Sequence, residues 1–232
     1  MTSRVRGISR KVRFAAHRLL RPVRRAKIAR TLARLPGSPS CLVVCLGNVC
    51  RSPYAAQRLR EAFRARGRSD IRVESAGLVQ PGRPSPANAR VAARRRGVDL
   101  DEHTSRSVGT ELLERADVVF VMSVRQQKEL RSRFGHGTRI VLLGDADPRQ
   151  PWSRSIRDPF ERSLGVYAAV YSRLDRCCEA IADWMSAAPA SPRAGTKAEE
   201  AGGPANLRGK QPQETVDRAR RSDDGRPKAA AG

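Results

Sequence analysis

The chain has 232 residues, with 46 Lys and Arg against 23 Asp and Glu, for a formal net charge of +23. That length suits one domain of about 150 residues plus extensions; the longest apolar runs, such as Cys41 to Leu46, span six residues, far short of the roughly 20 in a membrane-spanning helix. Five cysteines, an odd number without zinc-type spacing, favour neither a disulfide framework nor a metal finger, so a soluble cytoplasmic protein is expected.

Charge is concentrated at the start, where residues 1–36 carry twelve basic side chains and no acid. Val5, Ile8, Val12, Ala15, Leu19 and Val23 recur there at helical spacing, and Pro22 is expected to end or kink that helix. The stretch lacks the continuous apolar segment of a secretory signal. Three readings stay open for this basic amphipathic extension: a functionless arm, weak attachment to an anionic membrane surface, or an organelle transit peptide. Phe14 is its one aromatic residue, so stacking on single-stranded nucleic acid is not supported, and no specific nucleic-acid partner is expected.

Residues 37–187 alternate strand and helix signals. Cys41 to Cys45 reads as a β-rich run, followed by a turn at Gly47-Asn48. Ser52-Pro53 then offers a helix N-cap and a first-turn proline. Leu59, Ala62 and Phe63 give that helix its apolar face, and Gly67 is placed as its stop. Further strands are expected at 71–73, 118–122 and 140–143, and helices at 88–96, 111–115, 125–134 and 164–187. The last helix aligns Val166, Val170, Leu174, Ile181 and Trp184. Short strands separated by helical crossovers predict an α/β domain: a four-stranded parallel sheet flanked by helices. In residues 188–232 Leu207 and Val216 are the only large apolar side chains, so this tail is expected to be disordered.

The chemistry gathers at Cys45-Leu46-Gly47-Asn48-Val49-Cys50-Arg51-Ser52-Pro53, which runs from the end of the first strand into a helix N-terminus. Such a junction collects unpaired N–H groups and the positive end of a helix dipole, and so binds anions. The six-residue step from Cys45 to Arg51 lets the loop curl around a phosphate-sized group, with the cysteine at its base and a guanidinium at its rim to take two oxygens at once. The same field favours a thiolate. Full ionisation of an ordinary thiol raises the nucleophile roughly thirty-fold, about 2 kcal/mol. That is too little to cleave a phosphate ester, so most of the effect must come from stabilising the transferring phosphoryl group and from a general acid.

These residues resemble the low-molecular-weight protein tyrosine phosphatase family. The likeness continues at Glu74-Ser75-Ala76-Gly77, at Asp101-x-His103-x-Ser105-Arg106, at Ala116-Asp117 and at Asp158-Pro159-Phe160, in order over about residues 40–185. It implies a phosphate-binding loop of Leu46, Gly47, Asn48, Val49, Cys50, Arg51 and Ser52, with Cys45 as the nucleophile that forms a phosphocysteine. Arg51 would hold the phosphate, and Ser52 would donate a hydrogen bond to the sulfur. Asn48, Ser75 and His103 resemble the network that holds the loop in shape. Asp158 resembles the general acid, and no metal or organic cofactor is implied. Leu46 and Phe160 would wall a slot for a flat aryl group.

Bland alternatives stand beside several of these roles. Asp147-Pro148 is a second Asp-Pro step; the aromatic Phe160 and the helix beginning near Leu164 favour Asp158 as the acid. His103 could be an ordinary surface histidine, and Cys50 a buried filler, although the resemblance also implies a protective disulfide between Cys45 and Cys50. Cys177 and Cys178 read as core. Glu161 departs from the tyrosine or glycine common at that place, so regulation by tyrosine phosphorylation of this loop is not implied. The expected activity is hydrolysis of protein phosphotyrosine, with a tyrosine-phosphorylated protein, such as a bacterial tyrosine kinase, as partner. Phosphoarginine hydrolysis is the nearest alternative, and Val49, where such relatives carry threonine, argues against it. Thioredoxin-linked arsenate reduction needs a downstream cysteine pair, and no cysteine lies between Arg51 and Arg176. A phosphoprotein-binding pseudophosphatase would lack a catalytic residue, whereas Cys45, Arg51 and Asp158 are all present.

Overall fold

Strand β1 (Ser40–Cys45) sends alternate side chains into two apolar layers, as the two-residue period of a strand requires. Cys41, Val43 and Cys45 enter one layer, and Leu42 and Val44 the other. The structure, a computed structural model, describes residues 19–135, 139–149 and 153–187. They belong to one compact unit, residues 1–196. β1 pairs in parallel with β2 (Arg72–Gly77) on one side and with β3 (Val118–Val121) on the other. β4 (Ile140–Leu142) pairs in parallel with β3, giving the order β2-β1-β3-β4. The sheet is thus four-stranded and parallel, as expected.

Both faces are covered, in the manner of parallel sheets. The larger layer takes side chains from α1 (Arg21–Leu32), α2 (Arg51–Arg64), α3 (Ala87–Arg94) and α6 (Leu164–Ser186). The smaller takes them from α4 (Thr110–Glu114) and α5 (Val124–Phe134). Gly67 does end α2: with φ 71°, it lets Arg68 N donate to Phe63 O at 2.9 Å and Gly67 N to Arg64 O at 3.0 Å, the paired bonds of a left-handed helix stop. From β1 the chain passes to one neighbour and later to the other, so the loop after β1 opens at the switch point where α/β sheets bind ligands.

Several boundaries differ from the sequence reading. β2 runs on through Ser75-Ala76-Gly77, held in register by Val43↔Ser75 and Cys45↔Gly77; these small residues carry little strand signal. Cys50, not Ser52, takes the N-cap of α2, because the Ser52 hydroxyl is turned to the Cys45 sulfur. Leu143 opens a 3₁₀ turn, Leu143–Ala146, beyond β4.

The largest difference concerns the basic N-terminus. Pro22 lies in the first turn of α1 and so starts a helix, a position where its missing N–H costs nothing. Ile28, Leu32 and Leu35 are buried in the larger layer, and Arg25 stacks over the Trp184 ring at 4.8 Å. Arg21 reaches the Asp147 carbonyl at 3.1 Å, and Arg25 donates to that of Ala146. Residues 21–35 are therefore part of the folded unit, and the boundary drawn at residue 36 cuts through its core. The expected helix before residue 19 and the tail 188–232 lie outside the described residues.

Leu32→Ala should cost about 2–5 kcal/mol, the usual range for emptying a buried leucine site. Urea unfolding would read it, and a loss below about 0.5 kcal/mol, typical of a surface site, would show that α1 contributes nothing to the core.

Candidate active site

The loop between β1 and α2 is shaped by Asn48, which is buried with φ 52°. Asparagine tolerates this left-handed conformation better than most residues. The turn nests against β2 at Gly77, where an added Cβ would lie 2.8 Å from Asn48 N and 2.9 Å from Gly47 C. No side chain fits there without moving the loop. Leu78 N and Val79 N both donate to Leu46 O, at 2.8 and 3.1 Å, which ties the loop's opening to the end of β2.

Two donors point at the Cys45 sulfur: Asn48 N at 3.2 Å and Ser52 Oγ at 3.0 Å. Asn48 Nδ2 donates to Ser52 Oγ and to Ser75 Oγ, each at 2.9 Å. Its Oδ1 accepts from Arg106 N at 2.9 Å. His103 Nε2 meets Asn48 O at 2.7 Å. Asn48, Ser52, Ser75 and His103, far apart in sequence, are thus brought into one network beneath the sulfur. Burial pushes the His103 imidazole below its ordinary pKa, and Arg106 and Arg60 act in the same direction against the hydrogen bond to Asn48 O.

Above the sulfur lies a cavity of about 140 Å³ lined by Cys45, Leu46, Val49, Arg51, Asp158 and Phe160, among others. Arg51 is nearly buried at the first position of α2, whose first-turn N–H groups have no intrahelical acceptor. Its Nη1 donates to Ile156 O at 3.1 Å, its Nη2 pairs with the Asp158 carboxylate, and its Nε has no partner. Leu46, Val79 and Phe160 are exposed apolar walls. A thiol at the base, helix-start amides and a buried guanidinium suit a tetrahedral oxyanion, and the walls suit a flat apolar body behind it.

Cys50 lines the same cavity, with its sulfur 3.5 Å from Tyr167 Oη and its carbonyl accepting from Tyr171 Oη at 3.3 Å. Burial pushes its thiol up to about 12, which disfavours it as a nucleophile. Burial likewise raises Cys177 and Cys178, which lie in the core. Asp147 is buried away from the cavity: Arg176 donates to it twice at 3.0 Å and Arg173 once at 3.2 Å. That clamp leaves Asp158 as the Asp-Pro aspartate in the cavity wall.

Sequence reasoning gave no role to Arg106, Val79, Arg83 or Gly77. Arg106 fixes the Asn48 amide with its backbone and reaches Ser75 O and Glu74 with its side chain, at 2.7 and 3.0 Å. The Ser105-Arg106 pair was visible in the motif, but nothing in it announced a backbone donor. Glu161, after Phe160, has φ 56°, a left-handed conformation that favours glycine.

The lowered His103 pKa carries a pH signature. Below about pH 6.5 the unfolded chain binds a proton that the folded chain resists, so stability falls as pH drops through that range. His103→Gln should flatten this part of the slope when urea midpoints at pH 8 and 5.5 are compared. An unchanged pH difference in the variant would remove His103 as its source.

A family model described as low molecular weight phosphotyrosine protein phosphatase matches residues 40–190. The low molecular weight protein-tyrosine-phosphatase Wzb of Salmonella typhi is 33% identical over 161 residues, covering 65% of this chain and 97% of its own. Vibrio vulnificus Wzb in complex with benzylphosphonate has the same fold, with TM-score 0.55 and 25% identity over 63% of this chain and 98% of its own. The YwlE arginine phosphatase from Geobacillus stearothermophilus is equally close, with TM-score 0.55 and 25% identity over 62% and 91% of the two chains. With motif, fold and loop geometry in agreement with a match over most of the sequence, the chain belongs to the low molecular weight phosphotyrosine protein phosphatase family.

Proposed function

We propose that this phosphatase hydrolyses phosphotyrosine in proteins through a phosphocysteine intermediate. The observation that carries the reading is the Cys45 sulfur, held by Ser52 Oγ and Asn48 N at the base of a cavity that also holds Arg51 and Asp158. In the first step the thiolate attacks phosphorus, the P–O bond breaks, and Asp158 gives its proton to the departing phenolate oxygen. In the second, Asp158 takes a proton from water, whose oxygen attacks phosphorus as the S–P bond breaks, releasing phosphate and the thiolate. Arg51 takes two phosphoryl oxygens throughout, where charge stabilisation contributes most. To do so it must exchange the Asp158 carboxylate for the phosphate, which frees Asp158 to face the leaving group.

Apolar walls at Leu46, Val49, Val79 and Phe160 favour an aryl ester over phosphoserine, whose short stem leaves them uncovered. They also favour it over phosphoarginine, whose leaving group is a strongly polar guanidine. The partner on this reading is a tyrosine-phosphorylated protein, a bacterial tyrosine kinase being one candidate, and the setting is the cytoplasm. All five cysteines are free thiols, in keeping with a reducing compartment. Oxidation of Cys45 by a peroxide would give a sulfenic acid, which Cys50 could capture as a disulfide with loss of water.

The test is turnover of phosphotyrosine, phosphoserine and phosphoarginine by the wild type, Cys45→Ser and Asp158→Ala. Cys45→Ser should retain phosphate binding and lose turnover. Asp158→Ala should lose about 10²–10⁴ in rate on phosphotyrosine, the usual worth of a general acid, and less on activated aryl phosphates. Substantial turnover by Cys45→Ser, or preference for phosphoarginine, would overturn the reading.

No helix among the described residues is long and apolar enough to cross a membrane, yet Leu19, Leu20 and Val23 are exposed at the start of α1 beside its arginines. We propose that this end adsorbs weakly to anionic bilayers through charge and a short apolar patch. Co-sedimentation with anionic vesicles should fall between 0.1 and about 1 M salt as the screening length drops from about 10 Å to about 3 Å. No binding at low salt would refute it.

A further inference from the structure

Among the charged side chains lining the cavity, Arg83 alone has no part in the mechanism above. Its backbone is tightly held: Arg83 N donates to Ser105 Oγ at 2.9 Å, Arg83 O accepts from Ser105 N at 2.8 Å, and Gly82 N donates to Ser105 O at 2.7 Å. The next residue, Pro84, forms a bridge with Thr104. This anchored segment lays the guanidinium over Gly47, where an added Cβ would come within 2.6 Å of Nη2. Arg83 Nη2 lies 3.5 Å from Gly47 O, the limit of a hydrogen bond, and the buried Nε has no partner.

The two arginines of the cavity differ in how their charge is compensated. Arg51, Arg106 and Arg94 each pair with a carboxylate. No carboxylate among the described residues pairs with Arg83. It therefore leaves one uncompensated positive charge in the wall, next to exposed Leu46 and Val79. A phosphoryl group seated on the loop is already served by Arg51 and the helix-start amides. What remains for Arg83 is the part of the substrate that leaves the cavity past that wall.

We propose that Arg83 is a specificity-determining residue that selects phosphotyrosine flanked by acidic residues, through a charge-assisted hydrogen bond to a neighbouring Asp or Glu carboxylate. The inference rests on the phosphotyrosine-phosphatase reading and adds the charge of the substrate's surroundings to it. A planar fork with free donors on a rigid segment is well suited to a carboxylate. A rim contact of this kind is open to solvent and weakens with salt.

The experiment uses the full chain and three phosphotyrosine peptides with Glu, Gln or Lys on both sides of the phosphorylated residue. At low salt the wild type should show kcat/KM about fivefold higher for the Glu than for the Gln peptide, mainly through KM, and lowest for the Lys peptide. Arg83→Ala should bring the three values together, and Arg83→Glu should reverse their order, a result that loop distortion alone would not produce. A wild type that treats the three alike would overturn the proposal, as would Arg83→Ala losing the same factor on all of them, which would assign the residue to the phosphate. Should Arg83→Glu fail to fold, the salt dependence of the wild-type preference and the Arg83→Ala series decide the matter. p-Nitrophenyl phosphate separates the two layers: a wild type inactive on it sinks the phosphatase reading itself, whereas an active one without charge preference sinks only the role of Arg83.

Discussion

Asn48 holds a left-handed turn inside the protein, and the site depends on how completely its polar groups are used. Nδ2 donates to Ser52 and Ser75, Oδ1 accepts from Arg106 N, O meets His103, and N donates to the Cys45 sulfur. Its partners come from α2, β2 and the segment before α4, so the turn is fixed by the whole sheet end. Leaving one such buried group unpaired typically costs about 1–3 kcal/mol, and the groups share partners, so losses propagate. The arrangement works only because Gly77 lacks a Cβ where the turn rests on β2.

A chain with a surplus of 23 positive charges must also arrange its arginines. Its few acids are shared among several arginines. Asp147 is enclosed by Arg173 and Arg176, and Asp175 accepts from Tyr54 Oη at 2.6 Å and from Arg96 at 2.5 Å while Arg58 lies 3.2 Å away. Other guanidiniums cap backbone carbonyls, as Arg21 and Arg25 do beyond β4. Arginine suits this use because its stem packs against apolar surface while its head bonds several acceptors. What sets Arg83 apart is its place in the cavity wall, beside the loop that Arg51 serves.

The sequence made the loop and its two flanking elements legible because each has a local signature: a β-rich run, a turn pair and a helix start. The family resemblance pointed to Cys45, Arg51 and Asp158, which the structure brings to one cavity, and short apolar runs marked the four strands. The second half of β2 was hidden because Ser75, Ala76 and Gly77 are strand residues by pairing alone. The docking of α1 was hidden for a related reason. Ile28, Leu32 and Leu35 are sparse among basic residues, and only the surface offered by α6 and the 3₁₀ turn shows that they are core. Arg83 and Arg106 illustrate the same limit, since their roles lie in contacts to residues more than 30 positions away.

On the proposed mechanism, the pairing of Arg51 with Asp158 would join the two halves of the chemistry. Arg51 is nearly buried, and its charge is expensive to leave unpaired in a site with apolar walls. The Asp158 carboxylate, 40% exposed, supplies that charge from the solvent side. A phosphoryl group offers the same fork two oxygens and more negative charge, so it competes for Arg51 on favourable terms. The exchange costs little if the released carboxylate finds a proton and then a developing phenolate to serve. On that proposal, substrate binding and general-acid positioning would be one event, governed by which anion the buried guanidinium holds.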